Sequence, residues 1–103
     1  MTPPTPDPPP NDAPACVQLI ISGRVQGVGF RFFALNAARR RQVTGWTRNR
    51  PDGSVEVVAR GPRGALEALI GELRQGPRFS RVDEIETDWT CDVPESPDFV
   101  IRR

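Results

Sequence analysis

The sequence contains no histidine, and because all 14 of its basic residues are arginine it contains no lysine either. Without histidine, the chain cannot form a Ser–His–Asp or Cys–His catalytic arrangement, or a histidine-ligated zinc or haem site. Without lysine, Schiff-base chemistry and the GxxxxGK phosphate-binding loop are also excluded. Any chemistry must therefore use arginine, carboxylates, amides, hydroxyls, two thiols or the backbone.

Long apolar runs and a strong net charge are also missing. No apolar stretch approaches the ~20 residues that a membrane-spanning helix needs, and the proline-rich N-terminus lacks the apolar region of a signal peptide. A net charge of +1 does not indicate a highly charged partner such as nucleic acid. We therefore expect a cytoplasmic protein of one domain that binds neither membranes nor nucleic acid. We also expect a monomer that has no metal or other cofactor.

The two cysteines, Cys16 and Cys91, are far apart in the sequence. They form no CxxC motif and cannot hold a metal ion by themselves. We expect both to be small thiols, buried or half-buried. A disulfide between them is the alternative, but it requires an oxidising compartment, and the sequence shows no signal peptide that would lead to one.

Proline is unevenly distributed, because seven of the 12 prolines fall within residues 1–14. This segment has no apolar face to bury, so we expect a disordered or polyproline tail. The folded domain is then predicted to span residues 15–103.

Hydrophobic periodicity and turn residues predict alternating strands and helices in that domain. The second helix shows the clearest pattern, since Leu66, Leu69, Ile70 and Leu73 form one apolar stripe. The predicted elements are a strand over 16–22, a helix over 30–41, strands over 43–50 and 54–60, a helix from residue 62 to the stop at 76–77, a strand over 81–91 and a short strand over 99–102.

The order βαββαβ, with a short extra C-terminal strand, predicts an α+β protein with a ferredoxin-like fold. In this arrangement two helices cover one face of an antiparallel sheet, and the first and third strands are central. Because many unrelated proteins use this fold, it does not identify a function by itself.

A glycine-rich turn, GRVQGVG over residues 23–29, joins the first strand to the first helix. Gly27 and Gly29 permit close approach to the backbone, and the amides at the start of the helix lack intrahelical partners. Such amides form an anion site, and the planar guanidinium of Arg31 can hold two oxygens of a tetrahedral anion. The free amides through Phe30, with Arg31 beside them, are therefore a predicted anion site, although glycine-rich turns between a strand and a helix are also common without any ligand.

Two other interpretations of this loop fit less well. The Rossmann fingerprint requires a third glycine where Phe32 stands. The stretch QGVGFRFF over 26–33 is similar to the aromatic motif of RNA-recognition domains, but that motif belongs on the third strand. Here the third strand reads SVEVVAR and carries no aromatic residue. RNA binding would be revealed by tight, salt-sensitive complexes at low ionic strength.

Two separate stretches closely resemble the acylphosphatase family. They are GRVQGVGFRF over 23–32, and GWTRN over 45–49 followed by DGSVE over 52–56. The resemblance covers about residues 17–101. Gly29 replaces a phenylalanine of the better-known animal members, a variant common in microbial members.

The resemblance implies hydrolysis of carboxyl–phosphate anhydrides to a carboxylate and inorganic phosphate, without a metal ion or a phosphoenzyme. It implies that Arg31 binds the phosphoryl group and that Asn49 holds the attacking water. It also implies a phosphate-binding loop whose amides form the phosphate cradle: Val25, Gln26, Gly27, Val28, Gly29 and Phe30. The chemistry agrees, because an acyl phosphate already has a good leaving group and needs mainly positioning and charge stabilisation. The same fold also occurs as the leading domain of hydrogenase-maturation carbamoyltransferases, an alternative that the length of this chain disfavours.

Overall fold

Seven elements follow the predicted order in the computed structural model, which describes residues 12–91 and 96–103. Most of the predicted N-terminal tail, residues 1–11, lies outside the described residues, and the first strand begins at Pro14. The elements are β1 (Pro14–Arg24), α1 (Phe30–Arg40), β2 (Thr44–Asn49), β3 (Val55–Pro62), α2 (Arg63–Gln75), β4 (Arg81–Asp88) and β5 (Phe99–Ile101).

The strands form one sheet in the order β4-β1-β3-β2-β5. The four longer strands pair antiparallel, and β1 and β3 occupy interior positions as expected for the ferredoxin-like fold. The short β5 differs from its neighbours because it runs parallel to β2 at the sheet edge. The fold class predicted from the sequence is therefore confirmed, with a mixed rather than a wholly antiparallel sheet.

Both helices begin and end where backbone chemistry favours it. α1 follows Gly29, which has a left-handed conformation, and α2 follows Pro62, whose fixed φ suits the entry to a helix. α2 ends at Gly76, which has a φ of 68°. With 11 and 13 residues, neither helix of the described chain is long and apolar enough to cross a membrane.

The core lies between one face of the sheet and the two helices. α1 contributes small side chains that allow close packing, whereas α2 contributes the predicted leucine stripe, with Ile70 half-buried at its margin. The fully buried residues include Ala34, Ala37 and Ala38 of α1, Leu66, Leu69 and Leu73 of α2, and Val17, Leu19, Ile21 and Val57 of the sheet.

Three consecutive arginines at the end of α1 connect it to its neighbours. Arg39 pairs with Asp98, just before β5, at 3.0 Å, and Arg40 and Arg41 both pair with Glu72 of α2. Each such partly exposed pair contributes at most about 1 kcal/mol. The arginine run therefore links elements within the fold and is not a free cationic patch.

Cys16 and Cys91 are joined by a disulfide, so the expectation of two thiols is wrong. Cys16 lies near the start of β1, and Cys91 follows the end of β4. Because β1 and β4 are antiparallel neighbours, these two positions meet, with their Cα atoms 5.8 Å apart. That separation is ordinary for a disulfide, but it depends on strand adjacency, which the cysteine spacing does not encode.

Candidate functional site

The loop between β1 and α1 owes its shape to two glycines. Gly27 has a φ of 75° and Gly29 a φ of 78°, a region that residues with a side chain rarely adopt. An added Cβ at either position would meet no protein atom within 4 Å. The backbone conformation, rather than crowding by other protein atoms, therefore accounts for glycine here, and open space lies above both positions.

The first turn of α1 presents backbone N–H groups that the helix does not use. The Phe33 N–H donates to the Gly29 carbonyl at 3.0 Å, so the amides of Phe30, Arg31 and Phe32 precede this first helical hydrogen bond. Within residues 12–91 and 96–103, no side chain caps the helix, and its first turn contains no acidic residue. The positive end of α1 thus remains available to an anion.

A cleft of about 220 Å³ lies over this helix end. Arg31 enters it from the second position of α1, and Asn49 enters it from the last position of β2. Among the described residues, neither side chain has a hydrogen-bond or ion-pair partner, so both are free to bind a ligand. The lining consists of Val25, Gly27, Gly29, Phe30, Arg31, Phe32 and Asn49.

Gln26 has a different position from its neighbours in the predicted phosphate-binding loop. Its Nε2 donates to the Arg50 carbonyl at 2.7 Å and to the Ser54 carbonyl at 2.9 Å. These bonds tie the loop to the β2–β3 turn, immediately after Asn49. Neither the Gln26 nor the Val28 side chain belongs to the cleft lining, and Val28 packs against the core instead.

The β2–β3 turn is itself held by a local hydrogen-bond network. Asp52 Oδ1 accepts from the Ser54 backbone N–H at 3.0 Å and from the Ser54 hydroxyl at 2.5 Å. These two bonds hold the pKa of Asp52 below its usual value. The turn thereby fixes the Arg50 and Ser54 carbonyls that Gln26 binds. The Arg50 N–H also donates to the Ser54 carbonyl at 2.8 Å.

Phe32 is the one lining residue that the sequence prediction omitted. Its side chain is 66% exposed. The helical period could have indicated this exposure. Phe30, Ala34 and Ala37 lie on the buried face of α1, and Phe32 follows Phe30 by two positions, which turns it away from that face. Its place beside a ligand site, however, depends on how α1 meets the loop and β2.

The cleft combines N–H donors, one guanidinium and one carboxamide, and no carboxylate is found among the described residues that line it. A tetrahedral anion such as a phosphoryl group complements this set, because the amides and the guanidinium donate hydrogen bonds and offset negative charge. The carboxamide of Asn49 can both accept and donate, so it can also hold a water molecule. The site residues predicted in the first helix turn and at the end of β2 therefore come together in one place.

Comparison with known proteins identifies the family. The sequence model of the acylphosphatase family matches residues 17–101. The acylphosphatase of Salinibacter ruber is 51% identical over 83 residues, which cover 81% of this chain and 87% of that protein. The acylphosphatase of Chlorobaculum tepidum is 51% identical over 80 residues, covering 73% of this chain and 87% of that protein.

Solved structures agree with the sequence comparison. The crystal structure of acylphosphatase from Bacillus subtilis superposes with a TM-score of 0.83 at 38% identity, covering 85% of this chain and 98% of that one. Full-length HypF in its phosphate- and nucleotide-bound form matches with a TM-score of 0.79 at 31% identity, but over 12% of its own length. The chain belongs to the acylphosphatase family, and its activity is the hydrolysis of acyl phosphates.

Proposed function

We propose that the cleft hydrolyses small acyl phosphates by direct, in-line attack of water on phosphorus, without a metal ion and without a phosphoenzyme. A bond forms between the water oxygen and phosphorus while the bond from phosphorus to the carboxyl oxygen breaks. The products are a carboxylate and inorganic phosphate, which keeps the protons of the attacking water. The observation that carries this proposal is the convergence of Arg31, Asn49 and the first-turn amides of α1 on one cleft.

The helix end and Arg31 bind the phosphoryl group. The amides that precede the bond from the Phe33 N–H to the Gly29 carbonyl can donate to the phosphoryl oxygens. The Arg31 guanidinium supplies two further donors and a full positive charge. Because the helix fixes the backbone amides before the substrate arrives, these amides stabilise the charge that develops in the transition state with little reorganisation.

Asn49 orients the attacking water. Its carboxamide oxygen accepts a hydrogen bond from the water and its amide nitrogen can donate one, so it positions the nucleophile without deprotonating it. The backbone of Asn49 pairs with Val55 in β3, and Gln26 links the phosphate loop to the adjacent turn. This bridging fixes the water relative to the phosphorus, and positioning of this kind supplies much of the catalysis in phosphoryl transfer.

The leaving group explains why no residue with a pKa near neutrality is required. A carboxylate leaves without prior protonation, so general acid catalysis adds little. The absence of histidine and lysine from the sequence is compatible with this chemistry.

Removal of either side chain tests these roles. We expect Arg31→Ala and Asn49→Ala each to lower kcat/KM by at least about a hundredfold, equivalent to about 2.7 kcal/mol of transition-state stabilisation. The measurement is steady-state hydrolysis of benzoyl phosphate and acetyl phosphate in excess chelator. The matched controls are Arg74→Ala and Asn36→Ala, which alter exposed helix positions outside the cleft and should retain activity.

Three results would contradict the proposal. Full activity in either active-site variant would remove the assigned role, and loss of wild-type activity in chelator with recovery on adding a divalent cation would require a metal. Hydrolysis in ¹⁸O-labelled water should place the label in phosphate. Label in the carboxylate would mean that water attacks the acyl carbon instead.

The proposal treats the protein as a cytoplasmic monomer that binds no nucleic acid. The ion pairs of Arg39, Arg40 and Arg41 support the last point, because they occupy the most concentrated basic run. The disulfide between Cys16 and Cys91 opposes the cytoplasmic part of the proposal, because the reducing cytoplasm keeps most cysteines as thiols. Analytical ultracentrifugation tests the monomer, and alkylation of thiols trapped in intact cells tests the compartment, since a reduced pair would be labelled.

A further inference from the structure

Phe32 is the part of the cleft that phosphoryl binding leaves unexplained. Its backbone N–H belongs to the free first turn of α1, but its aromatic ring has no role in holding a phosphate. Phe32 is 66% exposed, whereas Phe30, two residues earlier, is 1% exposed and belongs to the core. Single exposed apolar residues are common on protein surfaces, so the exposure becomes informative only through its position at the cleft.

The other apolar side chains that line the cleft cannot offer comparable surface. Val25 and Phe30 are each 1% exposed, and the two glycines of the lining have no side chain. The other two lining residues, Arg31 and Asn49, are polar. Among the described lining residues, Phe32 is therefore the only one that presents a large apolar side chain to solvent. Any apolar group that extends from the cleft along its wall would meet this ring.

A substrate bound as proposed must place its acyl group outside the phosphate cradle. The three non-bridging phosphoryl oxygens face the amides and the Arg31 guanidinium, and the water held by Asn49 occupies one apical position. In-line geometry then puts the carboxyl oxygen at the opposite apex, away from Asn49. Phe32 lies on the same helical turn as the amides and Arg31 and lines the same cleft, so an acyl group that extends from the cradle along the cleft wall can reach its ring.

We propose that Phe32 contacts the acyl group and makes the enzyme prefer acyl phosphates with aromatic or bulky apolar acyl groups over acetyl phosphate. This role rests on the proposed function of the cleft. An acetyl group has one methyl and gains little from the ring. A benzoyl group can stack on the ring or meet its edge and removes more apolar surface from water.

Substrate discrimination in Phe32→Ala tests the proposal. We expect kcat/KM for benzoyl phosphate to fall about tenfold, mainly through KM, while kcat/KM for acetyl phosphate changes less than about twofold. Inhibition by inorganic phosphate should keep its wild-type constant, because the amides and Arg31 remain. Phe32→Leu should recover part of the preference, since it restores apolar surface without the ring.

Phe79→Ala is the matched control. Phe79 is 76% exposed in the connection between α2 and β4 and is not part of the cleft lining. Its replacement removes the same ring from the surface and should leave the benzoyl-to-acetyl ratio at the wild-type value. The control separates loss of a contact in the cleft from a general effect of removing an exposed phenylalanine.

The outcomes distinguish this role from the function of the cleft. An unchanged ratio in Phe32→Ala, or an equal loss with both substrates, would overturn the role of Phe32 while leaving the hydrolytic function in place. A weaker affinity for inorganic phosphate in that variant would assign Phe32 to the cradle instead. A wild-type protein that hydrolyses neither substrate would overturn the proposed function, and the role of Phe32 with it.

Discussion

Arg31 and Asn49 show what can be inferred at the scale of single residues. Arg31 could be singled out by its chemistry at a glycine-rich helix start, whereas Asn49 could be singled out only through the resemblance to the acylphosphatase family. The fold brings both into one cleft. Gln26 and Phe32 could not be assigned in this way. The bonds of Gln26 to the carbonyls of Arg50 and Ser54, and the place of Phe32 at the cleft, exist only after α1, the loop and β2 have met.

Gln26 is predicted to be a positioning residue. Gln26→Ala removes two hydrogen bonds to backbone carbonyls, so we expect a loss of about 1–3 kcal/mol in the free energy of unfolding and about tenfold in kcat. Chemical denaturation and steady-state kinetics at a temperature where the variant is folded measure the two effects separately.

Gln18→Ala provides the control for Gln26. Gln18 Nε2 also bridges two strands, donating to Glu56 Oε2 at 2.7 Å, but it lies outside the cleft lining. This variant should lose stability and keep its kcat. If Gln26→Ala behaves in the same way, the bridge stabilises the fold without positioning the loop.

At the scale of elements, the candidate site depends on the start of α1 and the end of β2. Local signals predict both ends, since Gly29 precedes α1 and the Pro-Asp-Gly turn follows β2. The same signals leave open how the turn is stabilised. Asp52 stabilises the turn by accepting a hydrogen bond from the Ser54 N–H. A second turn of the same kind follows β4, where Asp88 accepts from the Thr90 N–H.

The Asp52 turn should lose its contribution to stability in acid. Hydrogen bonds from Ser54 lower the pKa of Asp52 in the folded protein, so its contribution is fully present above the unfolded pKa of about 3.9. It is lost as the pH falls through the lower folded value. The difference in unfolding free energy between wild type and Asp52→Ala should therefore be constant above about pH 5 and shrink below about pH 4.

Asp88→Ala is the control for this pH dependence. Hydrogen bonds from Thr90 lower the pKa of Asp88 as well. The difference in unfolding free energy between wild type and Asp88→Ala should therefore shrink at a similar pH. Only Asp52→Ala should also reduce kcat/KM, because only that turn holds the carbonyl that Gln26 binds. A stability difference that grows as the pH falls would mean that the Asp52 carboxylate is not stabilised in the folded state.

At the scale of the whole molecule, the disulfide and the edge strands depend on which segments lie side by side. β1 has β4 on one side, and this adjacency brings Cys16 to Cys91 across 75 residues of sequence. β2 has the short β5 on its outer side, in parallel orientation. Neither relationship follows from local periodicity, because both require the complete strand order.

Reduction of the disulfide should destabilise the protein without inactivating the folded enzyme. A cross-link over a separation of 75 residues stabilises by about 4 kcal/mol in the chain-entropy model. Cys16 lies near the start of β1, whereas the cleft follows its end, so kcat at moderate temperature should persist. Urea denaturation with and without reductant measures the effect.

The double variant Cys16→Ser with Cys91→Ser controls for nonspecific effects of the reductant. It should be as unstable as the reduced wild type and insensitive to reductant. Wild-type stability that does not change on complete reduction would show that the cross-link contributes nothing to the fold, and loss of activity in a folded, reduced enzyme would couple the disulfide to the cleft.

The sequence by itself determined the element order, the glycine-rich turn before α1 and, through its resemblance to the acylphosphatase family, the class of reaction. The element order depends on local periodicity, and the turn depends on the conformations that Gly27 and Gly29 permit. The class of reaction follows from the family's motifs over residues 23–32 and 45–56, and the absence of histidine and lysine is compatible with it. The tertiary structure decided that Cys16 bonds to Cys91, that Gln26 bridges to the turn after Asn49, and that Phe32 borders the cleft. The physical reason is that each of these contacts joins segments whose proximity is set by strand order and helix packing, which no short stretch of sequence contains.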